Sequence, residues 1–325
     1  MFLPALAFSQ KTNGKFSLNG KVTGYSDSTR IYYADARNNQ FAVDSTLIIN
    51  NEFKFSGSVK DKAQQIMIWT KGRADYKFFW IDNAVMTFTA TKGKFKQAVI
   101  AGSATELENN AFEAACEAGK GAKGPAAKIA YVREHPNSMI SANILNIYAA
   151  GWGRDTTKLL YDNFSKAIKE SVYGKEIATF ISLNRNVKVG DKYVDFSEPD
   201  TTGKKVSLSD FEGKLVLLDF WGSWCGSCRK DNPELIKIYN EFKSSGFEIL
   251  GVASDNNKKD WLNAVAQDKL PWPNVCDLNG NKNKAALIYG VSRYPRNYLI
   301  DKNGIIIAAD LRGEALRKKL EELLK

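Results

Sequence analysis

Between Lys15 and Ala101 apolar and polar residues change places at short intervals. Residues 16–22, 31–34, 45–49, 52–59, 65–69 and 76–81 keep a period near two in varying degree, the spacing that sends alternate side chains to opposite faces of a strand. Turn-forming clusters separate them at residues 25–28, Asn50-Asn51, Lys71-Gly72 and Lys92-Gly93. Evenly spaced short strands predict an all-β, sandwich-like domain, a small antiparallel sandwich or barrel. Tyr76, Phe78, Phe79 and Trp80 crowd aromatics into one strand. Such a strand reads as half core and half contact surface, with a binding face as the alternative.

From Thr105 to Ser182 the period lengthens. Ala111, Phe112, Ala115 and Cys116 recur at helical spacing, as do Leu159, Leu160, Phe164, Ala167 and Ile168, with breaks at Pro136 and Gly151. This predicts a helical region joining two domains. The single histidine, His135, stands where one helix runs out. A positive imidazole is favoured near a helix C-terminus, so it reads as a capping or surface residue.

Beyond Val189 the two periods alternate. Strand-like stretches at 215–220, 247–253, 298–301 and 305–309 are interleaved with helical patterns through Leu235, Ile236 and Tyr239, through Trp261, Leu262, Val265 and Ala266, and from Glu314 to the end. Strands alternating with helices and closed by a hairpin at Lys302-Asn303-Gly304 describe an α/β sandwich. The run at 215–220 leads directly into Trp221-Gly222-Ser223-Trp224-Cys225-Gly226-Ser227-Cys228, where a helix begins. Unpaired N–H groups and the helix dipole favour negative charge there, so a thiol at that position ionises more easily than a free one. Zinc knuckles and redox dithiols share the bare C-x-x-C spacing.

With 325 residues, 44% of them hydrophobic, the chain can bury two or three cores. Most of its net charge of +10 lies upstream of residue 188, on lysines scattered through strands and loops. That reads as a solvated surface and carries no nucleic-acid signature. Four cysteines are too few for a disulfide scaffold. Cys116 and Cys276 are candidates for a second bridge, but each sits in an apolar or mixed segment where a buried free cysteine is the commoner outcome. No cofactor is expected, and one histidine cannot build a His-rich metal site.

Residues 2–10, apolar and with Ala5 and Ala7 near a cleavage point, read as the tail of a secretory signal. They are too short to span a bilayer, no other run is long enough, and stable membrane insertion is not expected. The chain thus divides into a signal remnant at 1–10, a β-rich domain at 11–104, a helical region at 105–186 and an α/β domain at 187–325.

Phe220 to Cys228 resembles the active-site segment of the thioredoxin superfamily. Val206-Ser207-Leu208-Ser209-Asp210-Phe211-Glu212-Gly213-Lys214 before it, with Gly290-Val291, Tyr294-Pro295 and Tyr298-Leu299-Ile300-Asp301 after it, is similar to the extracytoplasmic TlpA/ResA-like branch. The resemblance covers about residues 188–325, and the upstream part looks like the N-terminal extension of some secreted bacterial members. It implies a thioredoxin fold, thiol:disulfide oxidoreductase activity on protein disulfides, a thiol/disulfide redox partner, and a periplasmic or otherwise extracytoplasmic place of work.

Position by position, the resemblance implies that Cys225 is the exposed nucleophile, Cys228 the buried resolving thiol, and the two a redox-active disulfide. Asp219 matches the buried carboxylate behind the dithiol. A desolvated carboxylate has a raised proton affinity and can take the proton that the resolving thiol must lose. Pro295 matches the cis proline, Tyr294 would offer backbone groups to an extended substrate, and Trp224 would border the groove. A reductase is implied. Gly226-Ser227 leaves the poise open, since related dithiols span about −270 to −120 mV.

Other functions fare less well. A peroxidase needs a Thr and a Pro ahead of its reactive cysteine, and Gly222 and Leu218 stand in that neighbourhood. A metal chaperone needs a third ligand near the thiols. A surface or periplasmic binding or scaffold protein, using the β-rich domain with an auxiliary dithiol, is the alternative of a different class.

Overall fold

The computed structural model describes residues 14–38, 42–118 and 124–324, so the segment read as a signal remnant lies outside the described residues. These residues form two compact units. One is built from the chain up to Asn146 with Asn163–Lys175, the other from Ile147–Asp162 with Glu176 onward.

The first unit opens with β1 (Phe16–Thr23), β2 (Thr29–Asp35), β3 (Asp44–Ile48), β4 (Glu52–Gly57), β5 (Ala63–Thr70), β6 (Tyr76–Asp82), β7 (Val85–Thr91) and β8 (Val99–Ala101). They pair as β4-β1-β7-β8 and β3-β2-β5-β6. Leu18, Ile31, Phe55, Ile68, Phe79 and Phe88 from both sheets meet in one core, which makes a sandwich.

The sandwich is not wholly antiparallel, because β1 runs parallel to β7, with Leu18 opposite Met86. The chain leaves β1 for the other sheet, returns as β4 antiparallel to β1, and crosses over once more through β5 and β6 before β7, and those crossings, which no local pattern encodes, decide the direction. Strand β7 itself is legible in hindsight: Met86, Phe88 and Ala90 point inward and alternate with exposed Val85, Thr87, Thr89 and Thr91.

The crowded aromatics of β6 do not form one face. Phe79 enters the sandwich core, whereas Trp80 faces the other way and meets Tyr173 at 5.9 Å between ring centroids. Of the four, Tyr76 and Phe78 keep surface contact with solvent.

The helices are α1 (Ala104–Ala118), α2 (Pro125–Glu134), α3 (Met139–Trp152), α4 (Arg154–Asp162), α5 (Lys166–Glu170) and α6 (Val172–Leu183), and they are divided between the two units. Glu106 of α1 accepts a hydrogen bond from the Trp80 backbone N–H at 2.9 Å. His135 is the C-cap of α2 and stacks on Tyr131. Cys116 is half-buried and free. None of the described helices is long and apolar enough to cross a membrane.

The second unit continues with β9 (Ser197–Pro199), β10 (Lys205–Ser207), β11 (Leu215–Trp221), α7 (Gly226–Phe242), β12 (Phe247–Ala253), α8 (Lys258–Asp268), β13 (Asn274–Val275), α9 (Lys284–Tyr289), β14 (Arg296–Ile300), β15 (Ile306–Ala309) and α10 (Gly313–Leu324). Its sheet runs β13-β12-β11-β14-β15, with β11 parallel to β12 and antiparallel to β14. Every residue of β11 is buried, as a strand covered on both faces requires. Leu218 and Phe220 pack on one side with Leu250 and Val252, Leu215 and Leu217 on the other with Ile249, Leu316 and Leu320. This is the thioredoxin fold.

Candidate active site

The end of β11 delivers the chain to a tight connection before α7. The Cys225 N–H donates to the Gly222 carbonyl at 3.0 Å, and Asp255 accepts from both the N–H and the hydroxyl of Ser223. Trp224 folds back so that its Nε1 donates to the Ser254 carbonyl at 2.9 Å. Glycine at 222 permits this, because a Cβ there would stand 2.7 Å from Trp224 Nε1.

Cys225 is the N-cap of α7, its sulfur accepting from the Cys228 N–H at 3.2 Å, and the two cysteines are joined by a disulfide. Capping by sulfur satisfies one of the free N–H groups that every helix start leaves. The expectation of an exposed Cys225 is corrected: it retains 5% of its accessible surface, little more than the 3% of Cys228. It sits with Cys228 in a buried cluster that includes Trp221, Ala253, Trp261 and Cys276. Trp224, more than half exposed, is the open side of the site.

Helix α7 is pinned from behind. Arg229 forks onto Asp268 of α8 and Asn232 donates to the same carboxylate at 2.8 Å. A bidentate guanidinium fixes orientation as well as distance, so the first turn of the helix is held rigidly.

Beneath the dithiol lies a cavity of about 300 Å³ lined by Asp219, Cys228, Asp231, Pro295, Asn297 and Arg312, among others. Asp219 and Cys228 therefore face the same space. Burial pushes the Asp219 carboxyl up to about 7, against the pull of Arg312 and with a further push from Asp231.

The Tyr294–Pro295 peptide bond is cis. The Tyr294 ring packs edge-on to Trp224 at 5.1 Å between centroids, and burial raises its hydroxyl above the usual phenol value. The Pro295 carbonyl accepts from Arg312 Nη2 at 2.6 Å.

Two further buried groups lie nearby. The free thiol of Cys276 is pushed by burial up to about 12, so it stays protonated and is no third nucleophile. Glu198 is pushed up to about 7 by burial and by Asp277, and its oxygens accept from Asn283 Nδ2 at 3.0 Å and from the Ala285 N–H at 3.2 Å. It ties β9 to the start of α9. Among the described residues no group of three or more His, Cys, Asp or Glu side chains is set to hold a metal ion.

Comparison with known proteins then decides the family. The chain is 36% identical over 146 residues to the thiol-disulfide oxidoreductase ResA of Bacillus cereus, covering 45% of this chain and 82% of that protein. The chain belongs to the ResA-like thiol-disulfide oxidoreductases of the thioredoxin superfamily. ResA of Geobacillus thermodenitrificans is 32% identical over 149 residues, covering 45% of this chain and 84% of the relative. The AhpC/TSA family profile matches residues 189–309, and a domain of unknown function, DUF4369, matches residues 16–109. Among solved structures, the thioredoxin domain of a Bacteroides vulgatus thiol-disulfide oxidoreductase is 37% identical, with a TM-score of 0.41, covering 43% of this chain and 99% of that one.

The ResA-like chain is thus a thiol-disulfide oxidoreductase, and its six expected site residues, Asp219, Trp224, Cys225, Cys228, Tyr294 and Pro295, lie together in the second unit. Sequence reasoning missed Ser254, Asp255, Asp231 and Arg312. Asp231 carried a faint signal, three residues after Cys228 on the same helix. Ser254, Asp255 and Arg312 carried none, since they lie just beyond β12 and β15 and reach the site only through the tertiary fold.

Proposed function

We propose that this protein reduces protein disulfides outside the cytoplasm, with Cys225 as nucleophile, Cys228 as resolving thiol and Asp219 as proton acceptor. The observation that carries the reading is that Asp219, with its raised proton affinity, and Cys228 line one cavity directly behind the dithiol. The apolar stretch at residues 2–10 supports export.

In the reducing direction the Cys225 thiolate attacks one sulfur of a substrate disulfide, and the other sulfur leaves as a thiolate. The α7 N-terminus favours the charge on Cys225. Cys228 then passes its proton to Asp219 and attacks Cys225. The Cys225–Cys228 disulfide forms, the second substrate sulfur leaves, and two electrons have moved to the substrate. A thiol partner must return them. Trp224 and the backbone at Tyr294 and Pro295 flank the site where an extended substrate would lie.

The test is insulin-disulfide reduction by wild type and Cys225→Ser, joined to the reduction potential of the pair. Equal rates would sink the assignment of Cys225. A potential near about −270 mV fits a reductant, and one near about −120 mV would reverse the direction.

A further inference from the structure

We propose that Arg312 is a positioning residue for the proton transfer between Cys228 and Asp219, supplying from the mouth of their shared cavity the positive charge that stabilises the ionised carboxylate. This rests on the proposed role of Asp219 as proton acceptor.

The placement of Arg312 is built by the fold. Asn297 of β14 clamps the backbone of Leu311, its side chain donating to the Leu311 carbonyl at 2.8 Å and accepting from the Leu311 N–H at 3.0 Å. The next residue, Arg312, is thereby fixed just before α10. Its guanidinium donates to the Pro295 carbonyl at 2.6 Å and lies 3.7 Å from the Asp231 carboxylate of α7. Arg312 and Asp231 are both part-exposed while Asp219 and Cys228 are buried, so the pair stands where the cavity opens.

The charged and titratable groups around Asp219 are few. From α7 come Cys228, Lys230, Asp231 and Glu234, and from the segment before α10 comes Arg312. The residues paired with Asp219 in the sheet, Gly251 of β12 and Asn297 of β14, carry no charge. Burial and Asp231 both favour the protonated form, and Arg312 opposes them. Solvent screening weakens an exposed charge, but the Asp219 carboxylate that Arg312 acts on is buried, where opposite charges act more strongly.

The experiment follows, against pH, the single-turnover rate at which the reduced full-length protein releases reduced substrate from a disulfide peptide. Wild type, Arg312→Met, Arg312→Lys and Asp219→Asn are compared, with urea unfolding midpoints to establish that each is folded. The rising limb in Arg312→Met should move up by about one pH unit, a loss of about tenfold in rate at the foot of the limb. Arg312→Lys, which keeps the charge, should recover most of that shift. Superimposable profiles for wild type and Arg312→Met overturn the inference, as does an equal shift in the lysine variant. If Asp219→Asn abolishes the limb while Arg312→Met leaves it, the role of Asp219 stands and that of Arg312 falls. If Asp219→Asn keeps the wild-type limb, the Asp219 reading itself fails and takes the inference with it.

Discussion

The hydroxyl of Tyr294 lies 2.5 Å from the hydroxyl of Ser254, which ties the residue before the cis proline to the end of β12. Trp224 leans on the same ring and donates to the same serine's carbonyl. One serine thus holds both aromatic walls of the site. Tyr294→Phe keeps the ring but leaves Ser254 without that partner, and it should cost about 1 kcal/mol of stability. The urea midpoint measures it, and a variant as stable as the parent would show the bond to be inert.

Asp219 makes stability depend on pH in a defined direction. Burial raises its proton affinity from the ordinary 3.8 to about 7, so between those values the folded chain holds a proton that the unfolded chain has released. Its contribution is fully present below about pH 4 and is lost as pH rises through about 7. Asp219→Asn has no such loss. The asparagine variant should therefore gain on the parent with rising pH, by up to roughly 4 kcal/mol at pH 8 relative to pH 4. Urea unfolding at the two pH values checks this, and a pH-independent difference contradicts it.

Removing the resolving thiol should stop the reaction half-way. With Cys228→Ser, Cys225 still attacks but nothing displaces the substrate, so a mixed disulfide accumulates. Non-reducing electrophoresis with mass spectrometry should find the adduct on Cys225. An adduct-free variant that turns over normally would exclude Cys228 from resolution.

Gly251 sits opposite Asp219 in the sheet, and a Cβ there would stand 2.4 Å from Asn274 Oδ1 and 3.2 Å from Trp221 Nε1. Asn274 cannot simply swing away, because its amide donates to the Trp272 carbonyl at 2.9 Å. Gly251→Ala should cost about 1–3 kcal/mol through overpacking. Thermal unfolding measures it, and an unchanged midpoint would mean that the site relaxes freely.

Much of the fold is legible in the residues because its signals are local. Alternation marks most strands of the sandwich, and the run at β11, apolar except for Asp219, marks a strand buried on both faces. The direction of β1 against β7 is not legible, since a parallel pair joined by strands of both sheets leaves no trace within either strand. Nor does the run of aromatics in β6 reveal that Phe79 and Trp80 are taken by two different packing partners.

The candidate site divides in the same way. The sequence by itself determined the dithiol and its seat at a strand-to-helix junction, because an apolar run that gives way at once to helical spacing is a local signal, while Asp219 was singled out by the family resemblance of the same stretch. Tertiary structure alone decided that Cys225 is as sheltered as Cys228, that Ser254 and Asp255 brace the loop before them, and that Arg312 stands at the opening above Asp219. Those contacts depend on which strands lie side by side. Pairing is set by burial of both faces of the sheet at once, a property of the whole unit that no short stretch of residues contains.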